Sequence, residues 1–111
     1  MTTASGDEAS SPVVVIFLST RTDHHLDEYQ EVATAMEAMA RQQPGFLRME
    51  SARDPTTGRG ITVSRWVNEQ AALAWKEVTE HLRAQQAGRH RFYLDYEVIV
   101  ARQMRAYTFM A

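Results

Sequence analysis

Side chains that could bind and activate a small organic molecule are spread along this 111-residue chain. His81 is a candidate general base, because a histidine takes up and releases protons near neutral pH. Arg21 follows the first apolar segment, and its guanidinium could hold an oxyanion at the mouth of a pocket. Each also has a structural interpretation, His81 as a hydrogen-bonded helix residue and Arg21 as the partner of a surface carboxylate.

Large aromatic side chains could form the walls of such a pocket. Trp66 ends an apolar segment and Trp75 lies on an apolar helical stripe, so either could flank a flat ligand and orient a carbonyl with its N–H. Tyr29 and Tyr93 could present hydroxyl groups to the same ligand. The alternative is that the tryptophans are core residues and that some tyrosines lie at an interface.

The segment Asp23-His24-His25, followed by Asp27, raises the question of a metal site. Adjacent side chains on a helix point about 100° apart, so two neighbouring histidines rarely share one ion. We therefore expect no metal site here, and an exposed helix start instead.

Hydrophobic periodicity predicts four strands and two helices. The strands are expected at 13–18, 46–53, 61–67 and 97–110, the second and third forming a hairpin. The first helix is expected over 26–40 with Thr22 or Asp23 as its cap, and the second after a cap at Asn68. Residues 89–96 are expected to form a packed connection.

The predicted order is β-α-β-β-α-β, which is the ferredoxin-like α+β arrangement with both helices on one face of an antiparallel sheet. One domain is expected over residues 12–111, after a disordered polar tail at 1–11. The first and last strands carry apolar residues on both faces, so the face without helices should also be covered. A second copy of the chain would cover it, which predicts a homodimer.

Composition excludes several classes of function. The formal net charge of −2 argues against a nucleic-acid partner, which would favour an excess of Lys and Arg. The chain has no cysteine, so disulfides and thiol chemistry are absent. No apolar run is long enough for a membrane span and no signal peptide is evident, so we expect a cytoplasmic protein without a membrane partner.

Short motifs from about Val13 to Phe109 resemble the antibiotic biosynthesis monooxygenase superfamily. They are Pro44-Gly45-Phe46, Glu50-Ser51, Ile61-Thr62-Val63-Ser64 followed by Trp66, Trp75-Lys76, and His81. The resemblance implies a dimeric α+β barrel with a pocket between helices and sheet in each subunit. Members of that family include cofactor-independent oxygenases of anthrone-type polyketide intermediates and haem-degrading oxygenases.

The resemblance thus suggests a cofactor-independent monooxygenase that uses dioxygen on a small aromatic or polyketide-like molecule. In that interpretation His81 is the base, Arg21 holds the oxyanion, and five residues contact the substrate. These five are Ser19, Tyr29, Trp66, Trp75 and Tyr93. A non-catalytic dimeric binding module is an alternative.

A haem-degrading oxygenase is the other alternative that the resemblance implies. Relatives of that kind carry an Asn on the first strand and an iron-binding His about three turns after the helix tryptophan. Here the corresponding positions hold Ser19 or Thr20, and Gln85, which is a poor iron ligand. Trp75 matches, and His81 lies about one turn too early.

Overall fold

The computed structural model describes residues 11–85 and 92–111, and its elements follow the predicted β-α-β-β-α-β order. The strands are β1 (Val13–Arg21), β2 (Phe46–Arg53), β3 (Arg59–Trp66) and β4 (Tyr93–Arg102). The helices are α1 (Leu26–Arg41) and α2 (Glu69–Gln85). The predicted ferredoxin-like α+β class is therefore confirmed. The tail expected at 1–11 lies outside the described residues, except for Ser11.

The four strands in the described ranges form one antiparallel sheet in the order β2-β3-β1-β4. β1 is a central strand, and Ile16 lies opposite Val63 of β3 on one side and Ile99 of β4 on the other. A run of β-branched residues suits this place, because such side chains pack well on a pleated surface with neighbours on both edges.

The hydrophobic core lies between the two helices and one face of the sheet. Alternate residues of β1 point into it, so Val13 and Val15 are buried there while Val14 and Ile16 lie on the opposite face. Its buried members are Val13, Val15, Ala40, Trp66, Ala72 and Trp75. The core thus draws on both helices and two central strands, as the predicted arrangement requires.

The first helix begins at Leu26, as predicted, but its predicted cap is wrong. Thr22 Oγ1 accepts a hydrogen bond from His24 N, which forms a turn ahead of the helix. His25 then occupies the cap position at φ 58° and makes no side-chain capping bond, so neither Thr22 nor Asp23 caps α1. By contrast, Asn68 caps α2 as predicted, since its Oδ1 accepts from Ala71 N at 2.9 Å. Neither described helix is long and apolar enough to cross a lipid bilayer.

The fourth strand is shorter and lies earlier than the predicted range of 97–110. Its limits follow from its partner: Tyr93 pairs with Arg21 at one end of β1, and Arg102 pairs with Val13 at the other. Beyond Arg102 no residue of β1 is left to pair with, because the ladder ends where β1 begins. Residues 103–111 consequently form no strand in the single chain, and residues 93–96 belong to the sheet rather than to a connection.

Candidate functional site

A cavity of about 360 Å³ lies between the helices and the covered face of the sheet. Its walls are mainly apolar and aromatic, with contributions from Phe17, Met36, Met49, Trp75 and Phe92. Polar side chains reach it from both layers, among them Arg21, Tyr29, Arg53, Thr79, Arg83 and Tyr93. Volume and lining are those of a small-molecule site, in which a few polar groups orient a ligand held by apolar walls.

The pitch of α2 decides which of its residues face the cavity. Successive residues are rotated by about 100°, so Thr79 and Leu82 lie within about 40° of Trp75 and all three line the cavity. His81 is rotated by about 240° from Trp75, and it is exposed and not a lining residue. The structure therefore does not bring the base predicted from the sequence to the site.

The two tryptophans have different positions relative to the cavity. Trp75 lines it, whereas Trp66 is fully buried behind Trp75, with ring centres 5.6 Å apart in a stacked arrangement. The Trp66 N–H donates to Ser64 Oγ at 2.9 Å, so it is not available to a ligand. Trp66 supports the wall that Trp75 provides.

Tyr29 of α1 is contacted by two arginines, Arg21 of β1 and Arg53 of β2. Arg53 Nη2 donates to the Tyr29 hydroxyl at 2.6 Å, and Arg53 Nη1 donates to the carbonyl of Gly58 at 2.6 Å. The guanidinium carbons of Arg21 and Arg53 each lie 5.2 Å from the centre of the Tyr29 ring. Cation–π contacts of this kind fix the ring while leaving the phenol oxygen at the cavity wall.

Ser19 is fully buried beneath this group and does not line the cavity. Its hydroxyl lies 3.4 Å from Arg53 Nη2, so its contact with the site is indirect, through Arg53.

Tyr93 and Arg83 form the second polar group of the cavity. Burial is the main reason that the pKa of Tyr93 is raised well above its ordinary value, and neighbouring Tyr29 adds to the rise. Burial also lowers the pKa of Arg83 below its ordinary value, opposed by the nearby phenols of Tyr93 and Tyr96. At neutral pH the site therefore combines a protonated phenol with a poorly hydrated cation.

Arg53, Thr79 and Arg83 are the site residues that the sequence analysis missed. Arg53 alternates with Met49 and Ser51, so strand periodicity would have placed it on the covered face of β2. Arg83 follows Trp75 by eight residues, which returns it to the same side of the helix. Both were overlooked because a charged residue in such a position is usually assumed to face solvent.

The described cavity does not supply the histidine ligand that haem-degrading relatives use. Its lining residues in the described ranges include no histidine, and His81 projects elsewhere. The described residues also contain no group of three or more His, Cys, Asp or Glu that could hold a metal ion.

Comparisons with known proteins agree with this architecture. A family model described as antibiotic biosynthesis monooxygenase matches residues 12–87. The uncharacterized protein YqjZ of Bacillus subtilis (strain 168) is 42% identical over 95 residues, which span 86% of this chain and 82% of that protein.

Two solved structures show the same fold at low sequence identity. PA3566 from Pseudomonas aeruginosa has a TM-score of 0.67 at 19% identity, covering 87% of this chain and 98% of its own. A variant of SnoaB, a cofactor-independent oxygenase from Streptomyces nogalater, has a TM-score of 0.66 at 20% identity, covering 86% and 96%. With the family model matching most of its length, the chain belongs to the antibiotic biosynthesis monooxygenase family.

Proposed function

We propose that this protein is a cofactor-independent monooxygenase of a small aromatic or polyketide-like substrate, which it binds in the cavity. The observation that supports this most is the aromatic-walled cavity that Arg21, Tyr29 and Tyr93 line together. SnoaB, whose fold this chain shares, is a cofactor-independent oxygenase. The substrate ring packs against Trp75 and Phe17, and the phenol groups position its oxygen atoms.

The reaction needs no reductant beyond the substrate itself. In an anthrone-type molecule the reacting methylene loses two hydrogen atoms and gains one oxygen atom as a carbonyl. The second atom of dioxygen leaves with those two hydrogens as water, so the substrate supplies all four electrons.

The role of the protein in this reaction is to stabilise the anion that forms when the substrate loses a proton. Removal of one proton gives an enolate that can pass an electron to dioxygen, and Arg21 stabilises this anion at the cavity mouth. A guanidinium next to an enolate lowers the pKa of the substrate, so water can accept the proton. In this proposal that role replaces a protein base such as His81, which is not among the described lining residues.

Oxygen consumption tests the proposal directly. Purified protein is mixed with an anthrone or a hydroquinone, and dioxygen uptake and product are measured against a protein-free blank. We expect saturable uptake with one dioxygen consumed per anthrone oxidised. Arg21→Gln should lower the rate about 10²-fold, as the loss of one oxyanion partner does elsewhere.

Two further variants make this experiment specific. Arg48→Gln removes an exposed arginine that is paired with Glu50 and does not line the cavity, and it should leave turnover unchanged. His81→Asn tests the base suggested by the sequence, and loss of turnover in the folded variant would restore it to that role. Folded protein that consumes no oxygen with either substrate class would instead support a non-catalytic binding module.

A further inference from the structure

Positive charge is concentrated in the cavity of an otherwise acidic chain. Three guanidinium groups line it, those of Arg21, Arg53 and Arg83. Among the described lining residues Glu37 alone carries a carboxylate, and it pairs with Arg41 at 2.9 Å. The whole chain has a formal net charge of −2. Such local focusing of positive charge favours an anionic ligand.

Arg83 is the least satisfied of the three. Its guanidinium lies 4.1 Å from the centre of the Phe17 ring, and its Nη1 is buried without a hydrogen-bond partner among the described residues. Tyr93 lies close enough to act on this cation electrostatically. Glu80, three residues earlier in α2, acts on it electrostatically but pairs with Lys76 at 2.7 Å.

A buried cation with an unused donor is costly unless something binds it. Arg83 is stacked on an aromatic ring and desolvated by its surroundings, so an anion placed against it would meet little competition from water. The aromatic wall at Trp75 lies on the same side of α2, which puts a flat apolar surface beside the charge.

We propose that the substrate of this cavity is an aromatic carboxylic acid, whose carboxylate accepts a hydrogen bond from Arg83 while its ring packs against Trp75. This inference deepens the proposed function, and it rests on that function only because it takes the cavity to be the substrate site. A carboxylate carries a single negative charge and two oxygen atoms in one plane, which suits one stacked guanidinium. The Tyr93 hydroxyl, kept protonated by burial, can donate to the second oxygen.

Equilibrium binding of matched ligands tests the proposal without turnover. Affinities of 2-naphthoate and its neutral isostere 2-naphthamide are measured at neutral pH by titration calorimetry on the full chain. The wild-type protein should bind naphthoate about 10- to 100-fold more tightly than naphthamide, as expected for a charged hydrogen bond. Equal affinities, or no binding of either ligand, would overturn the assignment.

A second arm separates carboxylate from phenolate recognition. 2-Naphthol presents the same ring with a hydroxyl in place of the carboxylate. If 2-naphthol binds more tightly than naphthoate, in either its neutral or its ionised form, Arg83 does not select a carboxylate and the proposal fails.

Arg83→Met removes the guanidinium and its charge and keeps an unbranched side chain about as long as the stem of the arginine. It should abolish the preference for naphthoate while leaving naphthamide affinity nearly unchanged, which also shows that the cavity survives. Arg48→Met removes a cation outside the cavity and should keep the preference. Preference retained in Arg83→Met would refute the role of Arg83, and the wild-type comparison stands even if that variant does not fold.

The failure of this inference and that of the proposed function can be told apart. Protein that oxidises a neutral anthrone yet does not prefer naphthoate keeps the oxygenase function and loses the carboxylate site. Protein that prefers naphthoate but consumes no oxygen with any aromatic substrate, acid or neutral, keeps the site and loses the oxygenase function.

Discussion

At the scale of single residues, hydrogen bonding separates the part of this site that holds the fold from the part that faces a ligand. Trp66 and Trp75 are stacked on each other, yet only Trp75 reaches the cavity. The indole N–H of Trp66 is satisfied inside the core by Ser64, which is itself 2% exposed. Ser64 therefore stabilises the wall by holding the Trp66 ring behind Trp75.

Ser64→Ala should destabilise the protein by about 1–3 kcal/mol, because it leaves the buried Trp66 N–H without a partner. The free energy of unfolding in urea, followed by far-UV circular dichroism, measures this loss. We expect the variant to keep the native spectrum under folding conditions.

Ser51→Ala is the matched control in the neighbouring strand. Its hydroxyl pairs with Thr62 Oγ1 at 2.8 Å at an exposed position, where water can replace the lost partner. This change should cost less than about 0.5 kcal/mol. If both variants lose the same free energy of unfolding, the buried hydrogen bond from the Trp66 indole does not supply the extra stability expected of it.

At the scale of elements, the connection from α1 to β2 depends on one glycine. Gly45 adopts φ 82°, and its carbonyl accepts from Val67 N at 2.9 Å, which ties the connection to the end of β3. A Cβ at this position would lie 2.7 Å from Ala71 Cβ and 2.9 Å from a Val67 methyl group. The Pro44-Gly45 motif therefore fixes how the hairpin meets α2.

Gly45→Ala should lower the free energy of unfolding by at least about 1–2 kcal/mol. The left-handed backbone costs that much for a residue with a Cβ, and the close contacts add to it. Thermal and urea unfolding of the purified variant measure the change.

Gly60→Ala provides the comparison, because Gly60 does not have a positive φ and the atoms nearest to its new Cβ belong to the guanidinium of Arg53, with Cζ at 2.6 Å. That guanidinium can shift only at some cost to its bonds with Tyr29 and Gly58, but no left-handed backbone is strained, so the free energy of unfolding should fall by less than for Gly45→Ala. Equal losses at the two positions would show that backbone conformation is not the main cost at Gly45.

At the scale of the whole molecule, the sheet face without helices carries an apolar strip. Val14, Ile16 and Leu18 of β1 lie on it with Val63 and Ile99 of the adjacent strands, all only partly buried in the single chain. The segment after β4 adds side chains at least 85% exposed, among them Met104, Tyr107, Phe109 and Met110. We propose that a second copy covers this face, giving the homodimer that the sequence pattern predicts.

Light scattering at micromolar concentration should therefore give twice the 12.6 kDa of the chain. Ile16→Glu places a charge in the middle of the strip and should shift the protein toward monomer. Leu73→Glu, at an exposed position of α2, introduces the same charge elsewhere and should leave the mass unchanged. A wild-type mass of 12.6 kDa would disprove the dimer.

The site was less predictable from the sequence than the fold. Arg21, Tyr29, Trp75 and Tyr93 were singled out and do line one cavity, whereas His81, Trp66 and Ser19 do not. His81 and Trp75 are six residues apart, a spacing that separates them around a helix. Ser19 and Trp66 lie on the correct face of the sheet but within the packed layer beneath the cavity.

Local pattern was enough to establish the order of strands and helices, because periods of two and about 3.6 residues belong to the chain itself. It was not enough for the extent of β4, which depends on where its partner β1 begins and ends. Nor could it bring Arg53, Tyr29 and Arg83 together, since they come from three elements distant in sequence. Packing between the helices and the sheet decides which polar groups share one desolvated space. The spacing of residues along the chain does not encode the distances between these layers.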